Sequence, residues 1–541
     1  MTAGKRKWIV AFGLVAVLAV AALVIAASLL TARIEPYARQ AAIRYLSRRF
    51  DSDVQLRALH VRLPDSSLLR MVLTGGRGIT AQVEGQDLSL RLKSRPDAVP
   101  LFAIQKFRCD VSVESLFHPP AQVSQIIVEG MEIHVPPRDG RPRPSYEAGG
   151  ESGAGQSPST PGVTIRTVII RNAALVLLPG NAQRLPLQFD IQSLKLESRT
   201  AGAPLEYDAA LTNAKPPGRI HVTGTFGPWR AGEPGDTPIT GDYLFEKADL
   251  GVFAGIGGIL DSTGRFEGQL AALTVHGEAS VPNFRLRMAG NPVPLSVRFT
   301  VLVDGTNGNT ILRPVAATLG TTNFTTSGGI IRHEANQRRA ISLDVAMPNG
   351  NLRDVLRLAM KGDPFMEGRL VLNTKIGIPP LAAKAREKLE LDGRFEVLQG
   401  KFLHSTIQNQ IDSLSERARG QVQNPDSDQV VSRMMGMFHM ENAAIRFRQL
   451  SFAVPGADVD LTGDYNLDSD ALDFGGTLKL QATVSQMVTG WKRLVLRPVD
   501  RFFEKNGAGT FLRIRVEGTS KAPKFGVMLA GRQLEAPLPK R

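Results

Sequence analysis

The stretch ADVDLTGDYNLDSDALDFGGTLKL, residues 457–480, decides how the chain is read. Val459, Leu461, Tyr465 and Leu467 fall on one face, and Leu472, Phe474, Leu478 and Leu480 on the returning one. A period of two marks a strand with one covered face, and the Asp-Ser-Asp between the halves supplies a turn. The pattern predicts a β-hairpin with a solvated acidic tip. Asp464, Asn466 and Asp468 also fit the first three ligand positions of a calcium loop. The sixth position, glycine in such loops, is Ser469, and the twelfth, glutamate, is Gly475. The hairpin reading accounts for all of these residues; the calcium reading does not.

The alternation continues outward. VQLRALHVRLP, from Val54, sets Leu56, Leu59 and Val61 against polar partners with one slip of phase. IIVEGMEIHVPP (Ile126–Pro137) and TVIIRNAALVLLP (Thr167–Pro179) read as strand pairs with short breaks. DGTNGNT (Asp304–Thr310) reads as a hairpin turn in which Asn-Gly supplies positive φ angles, and FGPWRAGEPGDTP (Phe226–Pro238) as a loop. Arg138–Gly162 has almost no apolar residue. It is expected to be a disordered excursion from a hairpin, because it buries too little surface to offset the entropy of ordering. Two echoes suggest recurring strand-turn-strand units: VHGEASVPNF (Val275–Phe284) with VEGTSKAPKF (Val516–Phe525), and RNAALVL (Arg171–Leu177) with ENAAIRF (Glu441–Phe447).

Helical patterns are few. EPYARQAAIRYLSRRF (Glu35–Phe50) places Ile43, Leu46 and Phe50 on one side, as a domain cap or as a support resting on anionic lipid. LHSTIQNQIDSLSERARGQV carries a stripe of Leu403, Ile407, Ile411, Leu414 and Ala418, and DQVVSRMMGMF reads as a second, methionine-rich helix. Ala482–Phe503 mixes Trp491, Leu494 and Phe502 with Lys492, Arg493 and Arg497, which suits a helix plugging a sheet end or one lying on a membrane.

The glycine-rich GIGGILDSTGRFEGQL (Gly255–Leu270) invites comparison with a phosphate loop. Such a loop needs a strand before it and a helix after it, so that helix-start N–H groups meet the anion. Here EKADLGVFAG reads as helical and precedes the glycines, while Gly264, Phe266, Gly268 and Leu270 alternate after them. Gly255–Gly258 are expected to be the exit from a short helix, and Gly264 and Gly268 sites of close backbone approach or of sharper sheet curvature.

Composition narrows the chemistry. The 541 residues carry a formal charge of +14, with 52 glycines, 34 prolines and 6% aromatics, which favours many strands joined by turns. A basic balance suits nucleic acid or anionic lipid, but no basic cluster interleaved with aromatics is present, so no nucleic-acid module is expected. The single cysteine, Cys109, rules out an intramolecular disulfide and thiolate zinc clusters. The eight histidines form no i, i+4 pair and no HExxH, and no G-x-S-x-G elbow occurs. No catalytic, cofactor-binding or metal-binding residue is assigned, and the chain reads as a non-enzyme.

At the N-terminus, MTAGKRK precedes an uncharged apolar run from Trp8 to Leu30. At ~1.5 Å per residue such a run covers the ~30 Å hydrocarbon core, whereas a cleavable signal has an apolar region of only about 7–15 residues. Trp8–Leu30 is therefore expected to be a single membrane anchor. Lys5, Arg6 and Lys7 favour a cytoplasmic N-terminus, against a weaker contrary pull from Arg33, Arg39 and Arg44.

With these residues in place, the chain resembles the AsmA-like family of bacterial envelope proteins. The resemblance is carried by the N-terminal span with the helix after it, by IIVEGMEIHVPP, ADLGVFAGIGGILDSTGRFEGQL, DGTNGNTIL and VDLTGDYNLDSDALDFGGTLKL, and by TFLRIRVEGTSKAPKFGV. It implies a single-pass bacterial inner-membrane protein with its bulk in the periplasm. The implied fold is mainly β with a few helices: a long, twisted, curled antiparallel sheet whose concave apolar groove holds phospholipid acyl chains, with short capping helices. Residues 1–31 would be stub and anchor, 32–137 the juxtamembrane helix and first β segment, 138–162 a disordered loop, 163–400 the central groove, and 401–541 a helical pair with the last β segment. Candidate groove residues are Phe266, Leu270, Val275, Leu461, Leu467, Leu478 and Leu480. Lipid handling for envelope biogenesis is the expected function, without cofactor, and the membrane and envelope proteins are the expected partners. The alternative is a structural or assembly factor for outer-membrane proteins, with a filled interior. A second sheet layer or bound lipid would cover the alternating strands equally well.

Overall fold

In the computed structural model, the chain folds into β-strands that almost all pair with their sequence neighbours. The structure describes residues 39–62 (except 41, 45 and 48–51), 80–92, 99–112, 121–135, 163–178, 186–199, 203–287 (except 229 and 231–232), 291–380 (except 334–337), 387–419, 430–483, 509–519, 522–529 and 532–535. The expected anchor Trp8–Leu30, the excursion at 138–162 and most of the segment at 482–503 lie outside these. Among the described residues no helix is long and apolar enough to cross a membrane. These residues divide between two units, one within Met1–Asp249, Asp261–His276 and Val303–Asn307, the other within Leu250–Leu260, Gly277–Leu302 and Gly308–Arg541.

The first unit opens with helical residues 39–47 (41 and 45 aside), whose Ala42 and Leu46 are buried. They join the core on the strands β1 (Ser52–Arg62), β2 (Thr80–Leu92), β3 (Phe102–Ser112), β4 (Ala121–Val135) and β5 (Val163–Leu177). IIVEGMEIHVPP and TVIIRNAALVLLP do not break into strand pairs; each lies in one long strand. β4 and β5 pair in parallel, so residues 136–162 link a crossover and not the expected hairpin. A parallel neighbour needs a connection of a dozen residues or more, which accounts for the length of the linking segment.

The phase slip in β1 belongs to a row. Arg57, Asp87, Gln105, Gly130, Asn172 and Gln192 occupy successive positions skipped by the pairing from β1 to β6 (Leu187–Glu197). Asp87, Gly130 and Asn172 have φ of 49°, 65° and 51°. Each strand therefore kinks at the same level, and its inward face resumes one residue later, as Leu56 to Leu59 or Ile170 to Ala173. The antiparallel meander continues through β7 (Leu205–Ala214), β8 (Pro217–Phe226) and β9 (Pro238–Asp249).

The expected helix EKADLGVFAG is instead the end of β9 and a short 3-10 turn, Leu250–Val252. Gly255–Gly258 therefore follow a single 3-10 turn and not the longer helix expected. They lead through the two-residue β10 (Ile256–Gly257) into β11 (Ile259–Gln269), and at Gly258, φ 135°, a Cβ would stand 2.6 Å from Val281 Cγ1.

In the second unit, β14 (Thr310–Leu319), β15 (Thr322–Arg332), β16 (Arg339–Asn351), β17 (Met366–Ile378), β18 (Glu390–Phe402), β19 (Ser432–Glu441), β20 (Ala444–Val454), β21 (Ala457–Asn466), β22 (Ala471–Leu480), β23 (Thr510–Thr519), β24 (Ala522–Leu529) and β25 (Arg532–Glu535) form an antiparallel meander. Among the described residues two helices interrupt it, α1 (Leu352–Ala359) and α2 (Ser405–Ala418). DQVVSRMMGMF is not the expected second helix; most of it is β19, with Met434, Gly436, Phe438 and Met440 sharing a face. In α2 the stripe is shorter than expected. Ala418 is buried with Ile411 and Leu414 packed beside it, while Leu403 and Ile407 are exposed.

Candidate functional site, an apolar sheet face

Register lines the second unit's side chains into rows. Leu343, Ile376, Leu391, Met440, Ile445, Tyr465 and Leu472 form one across β16–β22. Another runs Met347, Leu372, Phe395, Gly436, Leu450, Leu461, Gly476 and Ile514 to β23, and a third joins Phe452, Val459, Leu478 and Leu512. The first two rows stand four residues apart on most strands and the last two stand two apart; eight neighbouring strands at ~4.8 Å spacing give an apolar face about 34 Å across.

The reverse face is charged along its own row: Asp344, Lys375, Asp392, His439, Arg446, Asp464 and Asp473. His439 Nδ1 lies 3.2 Å from Asp392, Arg446 Nε donates to Asp464 at 2.9 Å, and Arg515 donates to Asp473 at 3.3 Å. These exposed pairs add little stability. They do fix which face belongs to water.

Burial along the apolar face is uneven. At one end of the strands α1 and α2 cover it. Met347, Leu352, Met366, Leu370 and Val397 form one closed cluster, and Ala418, Val430, Val454, Ala457 and Leu480 another. Asn351 caps α1 by accepting from Arg353 N at 3.0 Å, and the Asp354 carboxylate accepts from Thr321 N at 2.8 Å and Thr322 Oγ1 at 3.0 Å. Gln408 of α2, buried, accepts from Phe402 N at 2.8 Å and donates to Val430 O at 2.9 Å. Away from the helices, Leu343, Ile376, Leu391, Ile445, Leu461 and Leu472 are only half-buried. None of these six belongs to either closed cluster.

The first unit has the same contrast. On β1–β5, Leu56, Val83, Ile104, Ile126 and Val128 are 0–2% exposed. From β6 onward Phe189, Ile191, Leu211, Ile220 and Val222 are half-buried. Beside the helical residues 39–47 a hollow of about 680 Å³ is lined in part by Arg39, Arg57, Asp87 and Glu132. Its charges are balanced: Arg57 pairs with Asp87 at 2.7 Å, and Arg39 Nε donates to Leu56 O at 2.6 Å.

Of the groove candidates, Leu461, Leu478 and Leu480 stand on the second unit's apolar face, Leu480 sealed at the α2 end. Leu467 lies in the turn after β21, its N–H donating to Ala443 O at 2.8 Å. That turn is stitched by Asn466 Oδ1, which accepts from Asp468 N and Ser469 N at 3.0 and 2.9 Å. Phe266 lies over Gly241, on the face shared with Tyr243 and Ser262, whose hydroxyls are 3.2 Å apart. Leu270 is buried in the turn after β11, where its N–H donates to Thr237 O at 3.1 Å and its carbonyl accepts from Gly305 N at 2.8 Å. Val275 takes the half-buried side of β12 (Ala272–Leu286). These seven residues do not converge on one point; five lie on sheet faces and two in turns.

Sequence reasoning missed α1, although Asn351 followed by apolar residues at 352, 355, 356 and 359 is a legible cap-and-stripe signal. Among the described residues, no group of three or more His, Cys, Asp or Glu could hold a metal. Cys109 is fully buried, and burial, with a smaller contribution from Asp110, pushes its thiol up to about 12. Burial also raises the Tyr207 phenol, with the Asp242 charge as a lesser cause. No protein-family model, no curated protein and no solved structure matches the chain.

Proposed function

We propose that the chain holds the acyl chains of membrane lipids on its half-buried apolar faces, as a membrane-anchored lipid-handling protein of the bacterial envelope. The observation that carries this reading is the ordered rows of half-buried apolar residues, with paired charges on the reverse face and, among the described residues, helical cover at one end. A sheet face of this kind needs an apolar occupant. An acyl chain that buries about ten methylenes there gains roughly 8 kcal/mol, from which the cost of association and ordering is subtracted. The apolar run Trp8–Leu30 supplies membrane proximity, and the resemblance to AsmA-like proteins agrees with the placement. Catalysis has no part in this function.

The test is lipid analysis of the full-length chain by mass spectrometry, with charged substitutions at Leu461 and Leu478 beside the outward change Asp464→Asn. Co-purifying phospholipid that the inward variants lose and the outward variant keeps supports the reading. Absence of lipid, or equal retention in all variants, refutes it. The alternative, an assembly factor for outer-membrane proteins, draws on the sealed β1–β5 core, and it requires crosslinks to envelope proteins in place of lipid.

A further inference from the structure

On the apolar faces, aromatic rings lie down over glycines. Phe395 on β18 faces Gly436 on β19 directly in register, and a Cβ built at Gly436 would stand 2.5 Å from Phe395 Cε1 and 2.8 Å from Cζ. The ring therefore occupies the space of the missing side chain. Gly463 on β21 sits between Phe447 on β20 and Phe474 on β22, both in register with it. Those two strands are about 9.6 Å apart, yet the ring centroids are 5.8 Å apart. The rings reach each other only by leaning over the glycine. In the first unit, a Cβ at Gly241 would stand 2.5 Å from Phe266 Cζ and would also strike the Tyr207 hydroxyl. Tyr207 reaches that point across Gly224, its register neighbour, and donates to Thr240 O at 2.9 Å.

We infer that these glycines set the clearance of the lipid-bearing face: each lets a neighbouring ring lie along the sheet, so that an acyl chain crosses strands without meeting a standing aromatic side chain. This rests on the lipid reading above. Ring-over-glycine packing also stabilises a sheet in general, and here Phe395 packs against the cluster under α1 while Phe474 is only 6% exposed, so clearance and stability are separated by experiment. Gly436 is the best place to separate the two effects. The nearest obstacle to a methyl group there is the far end of a ring, and the nearest backbone atom, Gln449 O, is 3.4 Å away. Gly436→Ala therefore folds with Phe395 turned upward.

The experiment uses the full-length chain in vesicles of phosphatidylethanolamine and phosphatidylglycerol doped with a phospholipid bearing a diazirine on its acyl chain. After irradiation, crosslinked peptides from β18–β20 are quantified against those from residues 8–30, and thermal unfolding reports the folded fraction. Gly436→Ala is expected to lower the β18–β20 yield several-fold at equal folded fraction. Adding Phe395→Ala in the same chain is expected to restore it, and Phe395→Ala alone to keep it. Equal yield in wild type and Gly436→Ala, or no recovery in the double variant, overturns the inference. Absence of β18–β20 crosslinks in wild type overturns the lipid reading itself.

Discussion

Leu370 and Leu461 are the same residue type, on the same face of the same unit, under different cover. Leu370 is 3% exposed beneath α1, packed with Leu352 and Val397, whereas Leu461 is half-buried and belongs to neither closed cluster. Aspartate at 370 loses the ~1.5–3 kcal/mol of a fully buried leucine and adds a carboxylate without a partner, several kcal/mol more. The sum, of order 5 kcal/mol, is comparable to the whole stability of many domains. Aspartate at 461 forfeits about half of the leucine contribution, roughly 0.8–1.5 kcal/mol, and, since the residue is half-buried, its carboxylate reaches water. The outward change Asp464→Asn removes an exposed pair with Arg446 and costs at most about 1 kcal/mol. Urea unfolding followed by tryptophan-independent circular dichroism measures all three. The reasoning fails if Leu461→Asp is as damaging as Leu370→Asp, because the row would then be sealed by a packed layer.

Three further outcomes are expected. Gln408→Ala leaves Phe402 N and Val430 O without their buried partner and lowers stability by about 1–3 kcal/mol, read as a shifted urea midpoint with unchanged slope. The Cys109 thiol, raised from 9.0 to about 12 by burial, stays protonated in the fold while the unfolded chain ionises; its stabilising contribution is complete below pH 9.0 and declines at about 1.4 kcal/mol per pH unit as pH rises toward 12. Cys109→Ala should flatten that part of the pH–stability curve, and the wild-type thiol should resist maleimide until denaturant is added. Asn172→Val forces a β-branched residue to φ 51° and costs roughly 1–2 kcal/mol, whereas Asn172→Gly is close to neutral in thermal unfolding.

The hairpin at 457–480 was legible because strict alternation and an acidic turn agree there. β19 was not. Methionines at 434, 435, 437 and 440 occupy both faces, which hides the period of two, and methionine is a good helix former. The echo between RNAALVL and ENAAIRF misled for a sharper reason. Asn172 alone has positive φ, and β5 kinks and continues; at Asn442 and Ala443 both residues do, φ 51° and 59°, and the chain reverses. Likewise Gly518 takes φ 99° before the turn from β23 to β24, while VHGEASVPNF lies wholly within β12. One dihedral angle separates a kink from a hairpin, and residue identity does not specify it. The parallel pairing of β4 with β5 was hidden too, because it depends on where residues 136–162 lead and not on either strand's own pattern.

Where the faces change from sealed to uncovered, their composition changes with them. The sealed rows of β1–β5 are filled with Val, Ile, Leu and Phe, and Gly85 there has its space taken by Phe107. The half-buried rows alternate large residues with Gly224, Gly241, Gly436, Gly463 and Gly476. None of these positions is empty: a ring lies over Gly241, Gly436 and Gly463 as Phe107 lies over Gly85, and at Gly224 and Gly476 a Cβ would meet neighbouring backbone. Glycine with a ring over it therefore occurs on the sealed and the half-buried faces alike. What differs is the cover on the ring itself: Phe107 is 5% exposed in the β1–β5 core, whereas Phe266 and Phe395 are half-buried, so the glycine sets the ring's tilt and the layer above it sets its burial.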